Sequence, residues 1–220
     1  MPQTPSKWID RRHALQTAAS AAMAVSLPTV TQAQTGTKTM NDLTAEEIAR
    51  LLNLEPNATC GFVRVTYIAK QEIAPGGLPQ PFAGGSPLGS ALYFLVTPEA
   101  PVRLHRIRND QLYHYYLGGP LEVLMLHANG ETEHVLVGPD IVAGQQVQLF
   151  IPGNTFDTAR LVGTGRWFLG ASTEWPGVLP PDVEIGNLEE LAQSYPRVAP
   201  EMRAIAASVK VMPTPGAPLR

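Results

Sequence analysis

Residues 105–119 read HRIRNDQLYHYYLGG. Successive side chains of a β-strand point to opposite faces, so a half-buried strand repeats with period two. The stretch holds the end of one such run, VRLHRI at 102–107, and all of another, QLYHYYL at 111–117. Asn109-Asp110 separates the runs, and Gly118-Gly119-Pro120 stops the second. Two short runs broken by turn residues read as two successive strands of an antiparallel all-β fold. What sets them apart is chemistry: the stretch carries two of the chain's five histidines and three tyrosines.

The same pattern extends in both directions. SALYFLV precedes the stretch; LEVLMLHA, EHVLVG, QQVQLFIP, TARLVG and RWFLGAST follow it, each bounded by glycine, proline, asparagine or aspartate. Asn129-Gly130 between two apolar runs is a strong hairpin signal. Further upstream, GFVRVTYIAK alternates, with Val63, Val65 and Tyr67 on one face and Arg64 and Thr66 on the other. Residues 74–89 hold four prolines and five glycines and read as a loop. Short strands at intervals of about 8–12 residues predict an antiparallel sandwich or barrel. Helices are expected at the margins. Thr44 and Glu47 form a capping-box pattern ahead of Ile48, Leu51 and Leu52, and the chain after Pro181 carries two short helical patterns.

Composition narrows the function classes. A net charge of −3 over 220 residues gives no basic footprint for nucleic acid. The single cysteine, Cys60, excludes an intrachain disulfide and a multi-cysteine zinc site, and its default reading is a buried, inert thiol. The first 33 residues read as an export signal. Arg11-Arg12 opens it, an alanine-rich apolar run from Ala14 to Val30 follows, and Thr31-Gln32-Ala33 supplies a cleavage site. The paired arginines resemble the twin-arginine type. The expected layout is a signal over 1–33, a linker over 34–41, the main domain over 42–196, and a C-terminal helix and tail over 197–220. The mature protein would be periplasmic or secreted, in a bacterium, with no membrane association after cleavage.

Four segments carry a resemblance to a known family: GFVRVTY at 61–67, ALYFLV at 91–96, LHRIRNDQLYHYYLGGPLEVLMLHANG at 104–130 and GQQVQLFIPGNTFDTARL at 144–161. Their order is similar to that of the Cupin 5 family within the cupin superfamily. The resemblance implies an all-β fold, a double-stranded β-helix or jelly-roll barrel, with a short N-terminal helix and a C-terminal helical extension. It also implies a homodimer. Metal-binding cupins place His-x-His, a glutamate and a last histidine at one mouth of the barrel. Those positions fall here on His105, Ile107, Gln111 and Asp157. Ile107 cannot ligate and neutral Gln111 is a poor donor, so no firm metal is expected; a divalent ion would rely on His105 and Asp157 as weak candidates.

The residues themselves leave alternatives open. His105 reads either as a packed core histidine or as a base or ligand pointing into the barrel. His114 has the opposite strand parity to Gln111, so it faces outward unless a bulge intervenes. Tyr113 and Tyr115 are either core aromatics or hydroxyls lining a pocket. Asp157 follows Gly153-Asn154 and either caps that turn or faces the pocket. Arg64, on an otherwise apolar strand, needs an anionic partner: Glu122, Asp157 or a ligand.

The functional expectation is a small-molecule pocket, with epimerase- or isomerase-like proton transfer on a carbohydrate-like substrate. His105 would be the base, Tyr113 or Tyr115 the acid, and Arg64 the oxyanion partner. Tyr67, Gln111, His114, Tyr115, Glu122 and Asp157 complete the expected substrate contacts. The alternatives are a non-catalytic sugar-binding protein and a metal-dependent oxygenase or lyase. One consequence is testable at once: replacing Arg11 and Arg12 together by lysine abolishes export in cell fractionation. Wild-type and variant protein in the same compartment would refute the signal.

Overall fold

The computed structural model describes residue 39 and residues 42–210. The export signal and its cleavage site lie outside the described residues. Helix α1 (Ala45–Leu52) starts at the expected capping box: Glu47 N donates to Thr44 Oγ1 at 3.2 Å and Thr44 N donates to Glu47 Oε2 at 2.9 Å. The strands in chain order are β1 (Glu55–Pro56), β2 (Phe62–Ile68), β3 (Glu72–Ile73), β4 (Ser86–Pro87), β5 (Ser90–Val96), β6 (Val102–Ile107) and β7 (Asp110–Gly118). There follow β8 (Leu121–Leu126), β9 (Thr132–Val137), β10 (Gln148–Ile151), β11 (Phe156–Leu161), β12 (Phe168–Trp175) and β13 (Val183–Ile185). Helices α2 (Leu188–Ser194) and α3 (Ala199–Ser208) close the described chain.

The strands form two antiparallel sheets with a jelly-roll order. One runs β1-β2-β5-β12-β7-β10, the other β13-β6-β11-β8-β9, and β3 pairs with β4 in a small ribbon. The inner faces share one apolar core. The first sheet supplies Val63, Phe94, Tyr113, Ile151 and Phe168; the second supplies Val102, Leu121, Val123, Met125 and Ala159. The outer faces are covered unequally. Helix α1 packs Ile48 against Leu95, Trp167 and Leu169 of the first sheet, while α2 and α3 cover Leu124 and Leu126 of the second. Gly118 ends β7 at φ 95°, and a side chain there would run into the Trp167 carbonyl oxygen, so glycine is required twice over.

Three register shifts break strict alternation. Val65 pairs with Leu92 but Tyr67 with Ala91, so one residue of β2 is extra. Asp157 pairs with His105 but Ala159 with Val102, which puts the extra residue on β6. Leu169 pairs with Leu117 but Gly170 with Tyr115, leaving Tyr116 extra on β7. Such irregularities re-aim every side chain beyond them. Strict alternation from His105 would put Arg103 on its face; the irregularity instead makes Val102, His105 and Ile107 the buried set of β6.

Two further differences concern the ends. The segment after Pro181 contains β13, a strand the helical patterns did not predict, and it pairs Ile185 with His105. Helix α3, read as an extension beyond residue 196, buries Met202 and Ile205 to 2% and 4% exposure, so it belongs to the packed body. Met202→Ala is therefore expected to cost about 2–4 kcal/mol, the usual range for emptying a buried aliphatic site. Urea denaturation reads this as a lowered midpoint at unchanged slope.

Candidate functional site

A cavity of about 230 Å³ opens between the sheets where β5 and β7 begin and β12 ends. Val63, Val65, Ile68 and Leu92 form one wall, and Ile107, Leu179 and Val183 form the facing one. Polar groups from both sheets interrupt these walls. His105 stands on the second sheet; Gln111, Tyr113, Ser172 and Glu174 stand on the first, and Cys60 lies beside His105. The first-sheet set follows from cross-strand pairing, since Gln111 is opposite Glu174 and Tyr113 opposite Ser172.

His105 is 3% exposed, and its Nδ1 donates to the Arg103 carbonyl at 2.8 Å, so Nε2 is the nitrogen left for other partners. Burial opposes a charge on the ring. The Asp157 carboxylate, the Cys60 thiol and the Arg103 carbonyl favour the charge and outweigh burial, raising its pKa from 6.5 to about 9. Asp157 is fully buried on the neighbouring strand. Burial pushes its carboxyl up to about 6, against the pull of His105 and of a hydrogen bond from Tyr113 Oη at 3.3 Å. Its other oxygen, Oδ1, has no hydrogen-bond partner. The Tyr113 phenol is held well above its ordinary range, by burial first and by the Asp157 charge second.

Glu174 is the group that the sequence reading missed. It is 2% exposed, its carboxyl is raised by burial, and Ser90 Oγ donates to its Oε2 at 2.6 Å. That length is typical of a hydroxyl serving an ionised carboxylate. Ser90 Oγ also accepts from Val178 N at 3.1 Å. A signal existed: continuing the alternation of RWFLGAST by one step puts Glu174 on the face of Gly170 and Ser172.

The expected site residues separate into two groups. His105, Gln111 and Tyr113 line the cavity; Asp157 stands behind Tyr113 and His105 rather than on the wall. The others face elsewhere. Arg64 is exposed and donates from Nη1 to the Leu52 carbonyl at 3.1 Å, at the end of α1, so it is no oxyanion partner. Tyr67 lies beyond the β2 irregularity and is 55% exposed, while Ile68 takes the inward place. Tyr115 packs against the core and donates from Oη to the Gly118 carbonyl at 2.8 Å, away from the cavity.

His114 faces outward, as its parity required. Gln148 Nε2 donates to its Nδ1 at 3.1 Å, so its Nε2–H serves Thr173 Oγ1 at 2.9 Å; partial burial lowers its pKa. Glu122 sits on the outer face of the second sheet and accepts from Arg160 Nε and Nη2 at 2.9 and 2.7 Å.

The positions where cupins hold metal do not fit one here. Ile107 offers no donor, Gln111 Oε1 already accepts from Ser172 Oγ at 3.4 Å, and Asp157 is turned to Tyr113. Among the described residues the one grouping that could hold a cation is Glu122, His134 and Glu201, with ligand atoms within 4.8 Å of one another. It lies outside the barrel. Arg160 already supplies positive charge there, 2.7 Å from Glu122 and 3.4 Å from Glu201.

Residues 46–185 match the family model described as "Cupin superfamily (DUF985)". A hypothetical protein from Leishmania major is 22% identical, with a TM-score of 0.66 over 76% of this chain and 99% of its own. A protein from Shewanella oneidensis is 23% identical, with a TM-score of 0.65 over 74% and 97%. Both share the fold. No curated protein matches the chain.

The buried pair predicts how stability depends on pH. Between pH 6.5 and about 9 the folded protein keeps a proton on His105 that the unfolded chain has released. Folding is therefore favoured at the acid end of this window and loses stability as pH rises through it, by up to about 3 kcal/mol at about 1.4 kcal/mol per pH unit. Asp157, raised from 3.8 to about 6, adds a fall of the same sign across that lower window. Asp157→Asn removes the charge that holds the His105 proton. Its melting temperature should then be nearly flat from pH 6.5 to 9, where the wild type declines.

Proposed function

Because this chain belongs to the Cupin 5 family of the cupin superfamily, we propose that its barrel cavity binds a small molecule and moves a proton on it, as an isomerase or epimerase does. One observation supports this above all others: an imidazole held charged and a buried carboxyl line the same cavity on facing sheets. Proton transfer needs two groups whose environments separate their acidities.

The roles are the reverse of those first read from the sequence. His105 carries its proton at neutral pH, so it serves as acid or as hydrogen-bond donor to a developing oxyanion. Glu174, raised by burial yet aligned by Ser90, suits the base. Tyr113 donates a hydrogen bond to Asp157, and Asp157 holds the charge on His105; Asp157 positions the acid from behind the wall, and Tyr113 does so from the wall itself. Gln111 orients what binds, because its carbonyl is engaged by Ser172 and its amide N–H groups remain free to donate. Export through the Arg11-Arg12 signal would place this chemistry outside the cytoplasm.

The reaction leaves a trace that needs no identified substrate. A carbon acid processed here exchanges its proton with solvent, so small carbonyl compounds incubated with the protein in D2O should gain deuterium next to the carbonyl, read by NMR. Glu174→Gln and His105→Ala should each slow exchange by about 10² to 10⁴. His127→Ala, on the β8–β9 hairpin with Glu133 as its partner, should leave it unchanged. Binding without exchange across the panel would leave the non-catalytic binding protein as the surviving reading.

A further inference from the structure

We propose that the ligand is a neutral, mainly apolar carbonyl compound about the size of one six-membered ring, its oxygen directed to His105 and Gln111 and its hydrocarbon body against the walls built by Val65, Leu92, Ile107 and Val183. The inference rests on reading the cavity as a ligand site, and it specifies what that site accepts.

Size comes first. A cavity of about 150 Å³ lined by apolar groups suffices for benzene. This one, at about 230 Å³, has room for a ring with a substituent or two, and falls short of the roughly 300–1,000 Å³ of sites for drug-sized molecules.

Hydrogen-bond accounting then limits polarity. Most polar groups on the wall already serve one another. The Asn57 side-chain oxygen accepts from Thr59 N, Thr59 Oγ1 and Cys60 N; Ser90 donates to Glu174 and accepts from Val178 N; Tyr113 donates to Asp157. The donors left for a guest are the Gln111 and Asn57 amides and His105 Nε2, which has only the weak thiol of Cys60 beside it; the carboxylate left to accept is Glu174. That set is rich in donors and offers one carboxylate acceptor, which suits a carbonyl oxygen and one acidic C–H. A sugar would bury several hydroxyls against apolar walls without partners, each at a cost of about 1–3 kcal/mol. The carbohydrate-like substrate expected from the sequence is therefore disfavoured.

Charge accounting disfavours an anion. The His105 charge is already balanced by Asp157, Glu174 adds negative charge, and no lysine or arginine lines the cavity. Basic residues close to lining positions in sequence are engaged elsewhere: Arg64 and Arg103 donate to the Leu52 and Ala58 carbonyls, Arg106 pairs with Glu184 and Arg108 with Asp182. The surroundings of the opening agree with an apolar guest, since Ile68 and Leu179 on its rim are 53% and 39% exposed.

The test is titration of ¹⁵N-labelled protein with cyclohexanone, benzoate and glucose at equal millimolar concentrations, followed by amide shifts. Cyclohexanone should saturate the shifts of Ile68, Ile107, Gln111 and Val183, and neither other probe should. Ile68→Trp, at an exposed position that tolerates bulk, should weaken cyclohexanone at least tenfold by blocking the opening. Saturation of the same amides by glucose, or by benzoate without cyclohexanone, overturns the proposal, as does silence from all three. Deuterium uptake at C2 of bound cyclohexanone is scored separately. Its absence would sink the proton-transfer reading and leave the ligand class standing.

Discussion

A strand offers its interior only every second side chain, and that constraint governs everything this barrel does. Eleven strands in two facing sheets deliver one apolar core and one cavity. Three register shifts decide which residues reach the inside. The shift on β6 puts Val102 and His105, three residues apart, on one face; the shift on β2 exchanges Tyr67 for Ile68 at the cavity. Without the first, His105 would lose either its neighbour Asp157 or its place on the wall. The polar cluster is thus a property of backbone register before it is a property of side chains.

Within that frame the electrostatics are costly. Taking an imidazolium and a carboxylate out of water costs several kcal/mol for each ion, and mutual attraction repays it only in part. The raised pKa of Asp157 expresses this cost, and the unpartnered Oδ1 adds to it. Tyr113 and the Arg103 carbonyl offset some of it by hydrogen bonding. A protein selected for stability alone would do better with apolar residues at 105 and 157. Such a pair, with its imidazole on the wall of a cavity and its carboxylate behind, is what the proposed proton transfer would require.

Much of the architecture was legible in sequence because it rests on local patterns. Thr44 and Glu47 capped α1 as a four-residue motif predicts, Asn129-Gly130 turned a hairpin, and the alternation of 111–117 set His114 outward. The same rule failed wherever it was extended across an irregularity, as with Arg103 and Tyr67, because nothing in the residues marks where a ladder slips. It was also not carried far enough: one more step along β12 reaches Glu174. Arg64 was misjudged for a different reason. Its partner is a backbone carbonyl at the end of a helix, and such acceptors are invisible to a search for acidic side chains. Strand β13 is three residues long and takes its pairing from β6, too short a run for periodicity to register.

Ser90 has one proton to give. It gives that proton to Glu174 while its oxygen receives the Val178 amide, so a single hydroxyl joins the proposed base to the segment that lines the opposite wall through Val178, Leu179 and Pro180. Thermodynamic reciprocity follows from that shared atom. Whatever draws the 178–180 segment away from Ser90 alters the proton affinity of Glu174, and protonating Glu174 alters the hold on the segment by the same free energy. Entry to the cavity and the charge of its carboxyl are, in this arrangement, two readings of one equilibrium.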